Sequence, residues 1–229
     1  RVNITAPAGD ATNVGQLIAS SGSLGLFGTV VRNSGAVSAD SATMQGGEIV
    51  FKASLRTEIG GTVGANGTNG GSVDISAAHS LDPNAPGVVI HTGSVQANGA
   101  AGAGGSVSIS ADSILSTAAI NADGTTVGGL INVQATNRAL STSSAQYSAN
   151  SSLGRGGDIL VSASVSNYTS GSYSATGVTG GNLTLAGNEI KLAGAQLDAS
   201  GMNDGGTVHV GGLMHGAAGF SAQGFALAN

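Results

Sequence analysis

A Gly-Gly pair followed by two apolar residues in alternation returns seven times along the chain, and a fixed repeat of this kind decides the architecture before any local propensity does. The pairs are Gly46-Gly47 with Ile49 and Phe51, Gly70-Gly71 with Val73 and Ile75, Gly104-Gly105 with Val107 and Ile109, and Gly128-Gly129 with Ile131 and Val133. Gly156-Gly157 with Ile159 and Val161, Gly180-Gly181 with Leu183 and Leu185, and Gly205-Gly206 with Val208 and Val210 complete the set. Successive pairs are 24, 34, 24, 28, 24 and 25 residues apart, which is one unit with two insertions. Ahead of each pair stands an apolar residue, one spacer and Ala, as in Val37/Ala39, Val95/Ala97, Ile120/Ala122, Tyr147/Ala149 and Tyr173/Ala175. The Ala leads into a corner cluster such as Asn66-Gly67, Asn98-Gly99 or Asp123-Gly124, where Gly supplies positive φ at low steric cost. A third apolar stretch, for example Ile114-Leu115 or Val88-Val89-Ile90, follows in most units.

Each unit therefore reads as two or three short strands with corners between them. Their alternation of apolar with small polar residues buries one face only: Val107 and Ile109 point inward, Ser106, Ser108 and Ser110 outward. The same strand type returns in the same sense in every unit, which favours a coil pairing with the next coil over hairpins within a unit. The expected fold is all-β, a parallel β-helix solenoid of about nine coils with a period near 24 residues, spaced about 4.8 Å apart around an aliphatic interior. An antiparallel sandwich or barrel is the competitor. The whole chain, 1–229, reads as one β-helix domain with an inserted loop at 77–93 and almost no helix.

Composition narrows the function. Gly makes up 40 of 229 residues, only 8% are charged, and the formal net charge is −5. With 40% hydrophobic residues the chain is not of the disordered class. Cys is absent, so burial and backbone hydrogen bonds must hold the fold. Scarce charge suits a stack, because a like-charge ladder at strand spacing repels itself. Seven scattered basic residues give no patch for nucleic acid, and no apolar run reaches the length of a transmembrane helix. The first residues lack the pattern of a signal peptide, so the chain reads as mature protein or an excised piece.

The phrase Asn33-Ser34-Gly35-Ala36-Val37-Ser38-Ala39, the run Leu197-Asp198-Ala199-Ser200-Gly201 and the stretch Gly205-Gly206-Thr207-Val208-His209-Val210-Gly211-Gly212 resemble the repeats of filamentous haemagglutinin-type exoproteins. The likeness runs from Gly15 to Gly212. It implies a right-handed parallel β-helix, part of a long adhesin that a Gram-negative bacterium exports by two-partner secretion through an outer-membrane transporter, secreted or held at the cell surface. Host or neighbouring cell surfaces, protein or glycan, would be its partners. The family's N-terminal secretion domain has no copy here, so this piece would lie downstream of it.

Right-handed β-helices also include polysaccharide-active enzymes, which need paired carboxylates or a basic proton acceptor. Asp74, Asp112, Asp158, Asp198 and Asp204 are isolated, and Asp123 and Asp198 read as corner residues capping their own backbone. His79 and His91 flank the insertion Asp82-Pro83-Asn84-Ala85-Pro86-Gly87, and folding it back would join them as metal ligands; the spacing matches no zinc motif. His209 alternates with Val208 and Val210 and reads as solvated, and the sequence gives His215 no role. No phosphate-loop Lys or calcium-roll Asp accompanies the glycines. No catalytic, metal or cofactor residue is therefore expected. The best contact surface is the Pro-bearing loop with His79, Asp82, Asn84 and His91, together with Tyr168 and Tyr173. The sequence expectation is a non-enzymatic spacer and contact segment of an adhesin. The alternatives are an extracellular filament or matrix subunit stacking end to end, for which Phe220 and Phe225 would form an apolar end, and, behind both, a carbohydrate-active enzyme.

Overall fold

Residues of equal rank in the repeat stand directly above one another in a computed structural model of the chain. It describes residues 1–42, 44–79, 82 and 84–211. His215, Phe220 and Phe225 lie outside the described residues, as do Gly212 and Pro83. The first turns are β1 (Val2–Asn13) with β2 (Gln16–Ile18), β3 (Ser23–Asn33) with β4 (Ala36–Ser38), and β5 (Glu48–Ile59) with β6 (Thr62–Gly64). The fourth turn splits its long strand into β7 (Ser72–Ala77) and β8 (Val88–His91) before β9 (Ser94–Gln96). Then come β10 (Ser106–Ser116) with β11 (Ala119–Asn121), and β12 (Leu130–Ser141) with β13 (Gln146–Ser148). Next is β14 (Asp158–Thr169) with β15 (Ser172–Ser174), followed by a corner strand β16 (Gly177–Thr179). Last are β17 (Asn182–Leu192) with β18 (Gln196–Asp198), then β19 (Gly201–Asp204) and β20 (Thr207–Val210).

All ladders among the described residues are parallel, and no helix is present among them. The long strands form one sheet and the short strands an 8-stranded second sheet, in the spatial order of the turns. The result is a β-solenoid of about 8 turns with a period of about 25 residues. The expected ninth coil is only opened, by β20, within the described residues. The repeat also begins earlier than the first Gly-Gly pair: Leu24 and Leu26 of β3 stand in register with Ile49 and Phe51, and Leu17 with Val37.

Two aliphatic ladders run the length of the long-strand sheet, Leu24-Ile49-Val73-Val107-Ile131-Ile159-Leu183 and Leu26-Phe51-Ile75-Ile109-Val133-Val161-Leu185. The facing ladder on the short strands is Leu17-Val37-Val63-Val95-Ile120-Tyr147-Tyr173-Leu197. Burial of each such side chain stabilises by roughly 1.5–3 kcal/mol, so stacking supplies most of the driving force. The first and third apolar stretches of a unit prove to be one strand of 11 or 12 residues, bent where the register shifts beside Ala111 and Ala163. Small residues fit that bend: Gly28, Ala53 and Ala77 stand in register, as do Ala111, Ala135, Ala163 and Gly187. A bulge thus makes one corner of the column without a turn.

The doublet glycines are required by close approach. The second glycine's N–H donates across the column to the corner Ala of its own turn, Gly105 to Ala97 and Gly129 to Ala122, both at 2.7 Å. A Cβ on the first glycine would collide with the next turn's Ala carbonyl, and one on the second with the preceding turn's doublet. The expectation of positive φ at the corner dipeptides is corrected: among described residues it occurs only at Ser21, Gly194 and Gly211. Gly67, Gly99 and Gly124 are glycines because backbone passes where a side chain would be.

Corner Asx residues form a ladder of their own. Oδ1 of Asp40 accepts from the N–H of Asn66 (2.6 Å), Asn66 from Asn98 (2.9 Å), Asn98 from Asp123 (2.9 Å), Asp123 from Asn150 (2.7 Å) and Asn150 from Thr176 (2.7 Å). Asp123 therefore caps the next turn, contrary to the sequence reading. Asp198 does cap its own corner, accepting from the Ser200 hydroxyl (2.6 Å) and N–H (2.9 Å); these bonds hold its carboxyl below the usual range.

The interior is not wholly aliphatic. Asn13, Asn33, His91, Ser116, Ser141 and Thr169 are buried at equal rank near the end of the long strands, with Ile59 between Asn33 and His91. Asn13 Nδ2 donates to Asn33 Oδ1 (2.8 Å), and Tyr147 and Tyr173 turn their hydroxyls onto Ser141 (3.3 Å) and Thr169. The two rings meet edge to face with centroids 4.9 Å apart.

Candidate functional site

The insertion is where the column departs from repetition. After β7 the chain leaves at Ala78 and returns as β8, which fills the sheet between β5 and β10. The protruding part is thus shorter than the 77–93 segment read from the sequence. Its ends are fastened to the bulge after Ala111: Asp112 N–H and Ser113 N–H both donate to the Gly87 carbonyl at 3.0 Å. Oδ2 of Asp112 accepts from Gly87 N–H (2.7 Å), and Oδ1 accepts from Thr136 Oγ1 (2.5 Å) and from the Nδ1 side of the His79 ring. The Asp112 side chain is 5% exposed and that of His79 59%, so a buried carboxylate holds a surface imidazole. Further out, Asn84 N–H donates to Asp82 Oδ1 (2.8 Å) and Ala85 N–H to the Asp82 carbonyl (3.1 Å), an Asx-turn.

Asp112→Ala leaves the buried Gly87 N–H without its side-chain acceptor and is expected to destabilise the insertion by about 2 kcal/mol or more. The Gly87 amide should lose hydrogen-exchange protection while amides of the β12–β14 ladder keep theirs. Unchanged protection at Gly87 would remove the clasp from the account.

Of the six residues read as a contact surface, His79, Asp82 and Asn84 lie on the insertion and Tyr168 on an outward sheet position. Two are corrected. His91 is 0% exposed: in β8 the alternation turns Val89 and His91 inward, and its Nδ1 meets Ser116 Oγ at 2.9 Å. Tyr173 is 1% exposed, because it occupies the same inner column as Val95 and Ile120. Burial pushes the phenols of Tyr147 and Tyr173 up. His79 and His91 are not brought together as ligands, and among the described residues no group of three His, Cys, Asp or Glu stands ready for a metal. The carboxylates do not stack either: Asp74 has Val50 and Ser108 in register, and Asp158 has Leu130 and Asn182. Burial pushes the Asp74 carboxyl up, partly offset by Lys52.

A second outward feature escaped the sequence reading. Beyond the bulge the long strands carry two outward rows. One reads Asp10, Val30, Arg56, Val88, Ser113, Arg138, Ser166, Glu189; the other Thr12, Arg32, Glu58, Ile90, Leu115, Leu140, Tyr168, Lys191. Four consecutive apolar residues, Ile90 to Tyr168, thus line the middle of the face, with Leu140 38% exposed. Within that apolar row charge stands only at the flanks, although Arg138 stands beside Leu140 in the neighbouring row: Glu58 is shared by Arg56 Nε (2.6 Å) and Arg32 Nε (3.3 Å), and Arg32 also reaches Asp10 (2.9 Å). At the other flank Glu189 accepts from the Tyr168 hydroxyl, pushing that phenol up. Aligning the third apolar stretches by rank would have exposed this row.

No family model matches the chain, and neither a curated protein nor a solved structure matches it. No helix of the described residues is long and apolar enough to cross a membrane.

Proposed function

We propose that this chain is a non-enzymatic, elongated segment of a secreted bacterial surface adhesin of the filamentous haemagglutinin type, serving as spacer and contact surface. The observation that carries the reading is the recurring register, in which Gly-Gly approach, Asx caps and aliphatic ladders repeat from turn to turn so that adding units adds length. Such a column transmits distance, and its variable features, the insertion and the apolar outward row, are on its sides. A Cys-free stack also suits export as an unfolded chain that folds outside by successive addition of turns.

The test is export. Joined behind a two-partner secretion domain and co-expressed with the matching outer-membrane transporter, the chain should become accessible to external protease as a folded β-rich domain. Beads coated with it should adhere to host epithelial or bacterial cells more than beads bearing an unrelated β-solenoid. Retention inside the cell, or adhesion no greater than the control, would overturn the reading.

A further inference from the structure

The outward face beyond the bulge has a charge order that reads in a complementary way when reversed. Numbering its eight rungs from β1 to β17, Arg56 and Glu58 stand on the third and Glu189 and Lys191 on the eighth. Val88 with Ile90 stand on the fourth, Leu115 on the fifth, Leu140 on the sixth and Tyr168 on the seventh. We propose that this face binds a second copy of the same chain, two columns lying side by side and end over end about a two-fold axis that runs along the strands between β10 and β12.

Such an axis keeps each outward row opposite itself and reverses rung order, so the fifth rung faces the sixth, the fourth the seventh and the third the eighth. Leu115 then meets Leu140, and Ile90 meets Tyr168. In the same operation Arg56 faces Glu189 and Glu58 faces Lys191. Both opposed pairs are of opposite sign, and each occurs twice because the interface is isologous. Moving the axis one rung toward β14 sets Lys191 against Leu115, and moving it one rung toward β8 sets Glu58 against Leu140; neither opposes a pair of opposite charges. The face therefore specifies a register as well as a partner: an apolar row with charged ends, beside which Arg138 of one copy faces Ser113 of the other. Its dimensions, about 34 Å along the stack by about 13 Å across, place the pair at the small, concentration-dependent end of interfaces. The inference does not rest on the adhesin reading, since it uses only this chain's own rungs.

Sedimentation of the intact chain up to about 1 mM tests it. A monomer–dimer equilibrium is expected, with no larger species. Leu140→Glu, at an outward position, should weaken the dimer at least tenfold, whereas Leu130→Glu, exposed on the other half of the sheet, should leave it unchanged. Lys191→Glu and Glu58→Lys should each weaken it several-fold, and E58K/K191E together should restore it. Thermal melting of each variant checks that the fold is kept. A strictly monomeric chain, a dimer indifferent to Leu140→Glu, filaments growing from the column ends, or a double variant weaker than both singles would each overturn the proposal.

Discussion

Gly129→Ala is expected to destabilise the column by at least about 3 kcal/mol, whereas Gly60→Ala, at an exposed position just after β5, is expected to change it by less than about 0.5 kcal/mol or to stabilise slightly. A Cβ on Gly129 would run into the Gly105 carbonyl oxygen and stand 2.7 Å from the Ala122 oxygen and 2.9 Å from its Cβ. All three belong to elements fixed by neighbouring turns, so no flexible group can yield, and close-packed interiors transmit such strain. The collision also threatens the 2.7 Å bond from Gly129 N–H to the Ala122 carbonyl. A Cβ on Gly60 would come no nearer than 3.5 Å to Thr92 Oγ1 and 3.8 Å to the Asn33 carbonyl, and its φ is not positive, so added Cβ removes unfolded-state entropy without a clash. Urea denaturation followed by far-ultraviolet dichroism reads both. If glycine served here for conformational freedom, the two substitutions would cost alike, and that outcome would refute the close-approach account.

This contrast marks how far the sequence could be read. Periodicity located the turns because a parallel stack requires like residues at like rank: Val107 and Ile109 were assigned inward from alternation alone and are fully buried. Two errors came from setting rank aside in favour of residue type. Tyr173 stands at the position of Val95 and Ile120, and His91 alternates with Val89, yet polar or aromatic character suggested the surface. The interior admits them because a ladder of buried hydroxyls and amides accompanies the aliphatic ones and supplies Ser116 and Thr169 as partners. The Asp112 clasp was illegible for another reason: its partners come from residues 24 to 33 positions away, and only the stacking of turns brings His79, Gly87 and Thr136 to one carboxylate. The cross-turn Asx caps were similarly read as local, since a corner Asp looks identical whether it caps its own turn or the next.

Acid should weaken the fold through His91 well before the carboxylates are fully titrated. The ring lies between Ile59 and Ser116 in the stack, Nδ1 meets the Ser116 hydroxyl, and Nε2 has no hydrogen-bond partner among the described residues. Burial lowers its pKa from 6.5 to about 4, opposed by a smaller backbone interaction with Gly93. The sign follows directly. Above pH 6.5 the imidazole is neutral in both states and contributes nothing; as pH falls below 6.5 the unfolded chain takes up a proton that the folded chain refuses until about 4. Stability is therefore lost across that window, by about 3 kcal/mol in total. His91→Leu should remove this component, so the stability difference between the variant and the natural chain should shift by roughly 2–3 kcal/mol in the variant's favour between about pH 7.5 and about pH 4.5. Parallel pH profiles for the two proteins would show that His91 is not buried neutral. Because each turn of a solenoid contacts only its neighbours, the loss need not unfold the whole column. β8 enters the sheet only after the insertion and is four residues long, so hydrogen exchange at low pH should rise first at the amides of Val89 to His91 and only later in the β12–β14 ladder.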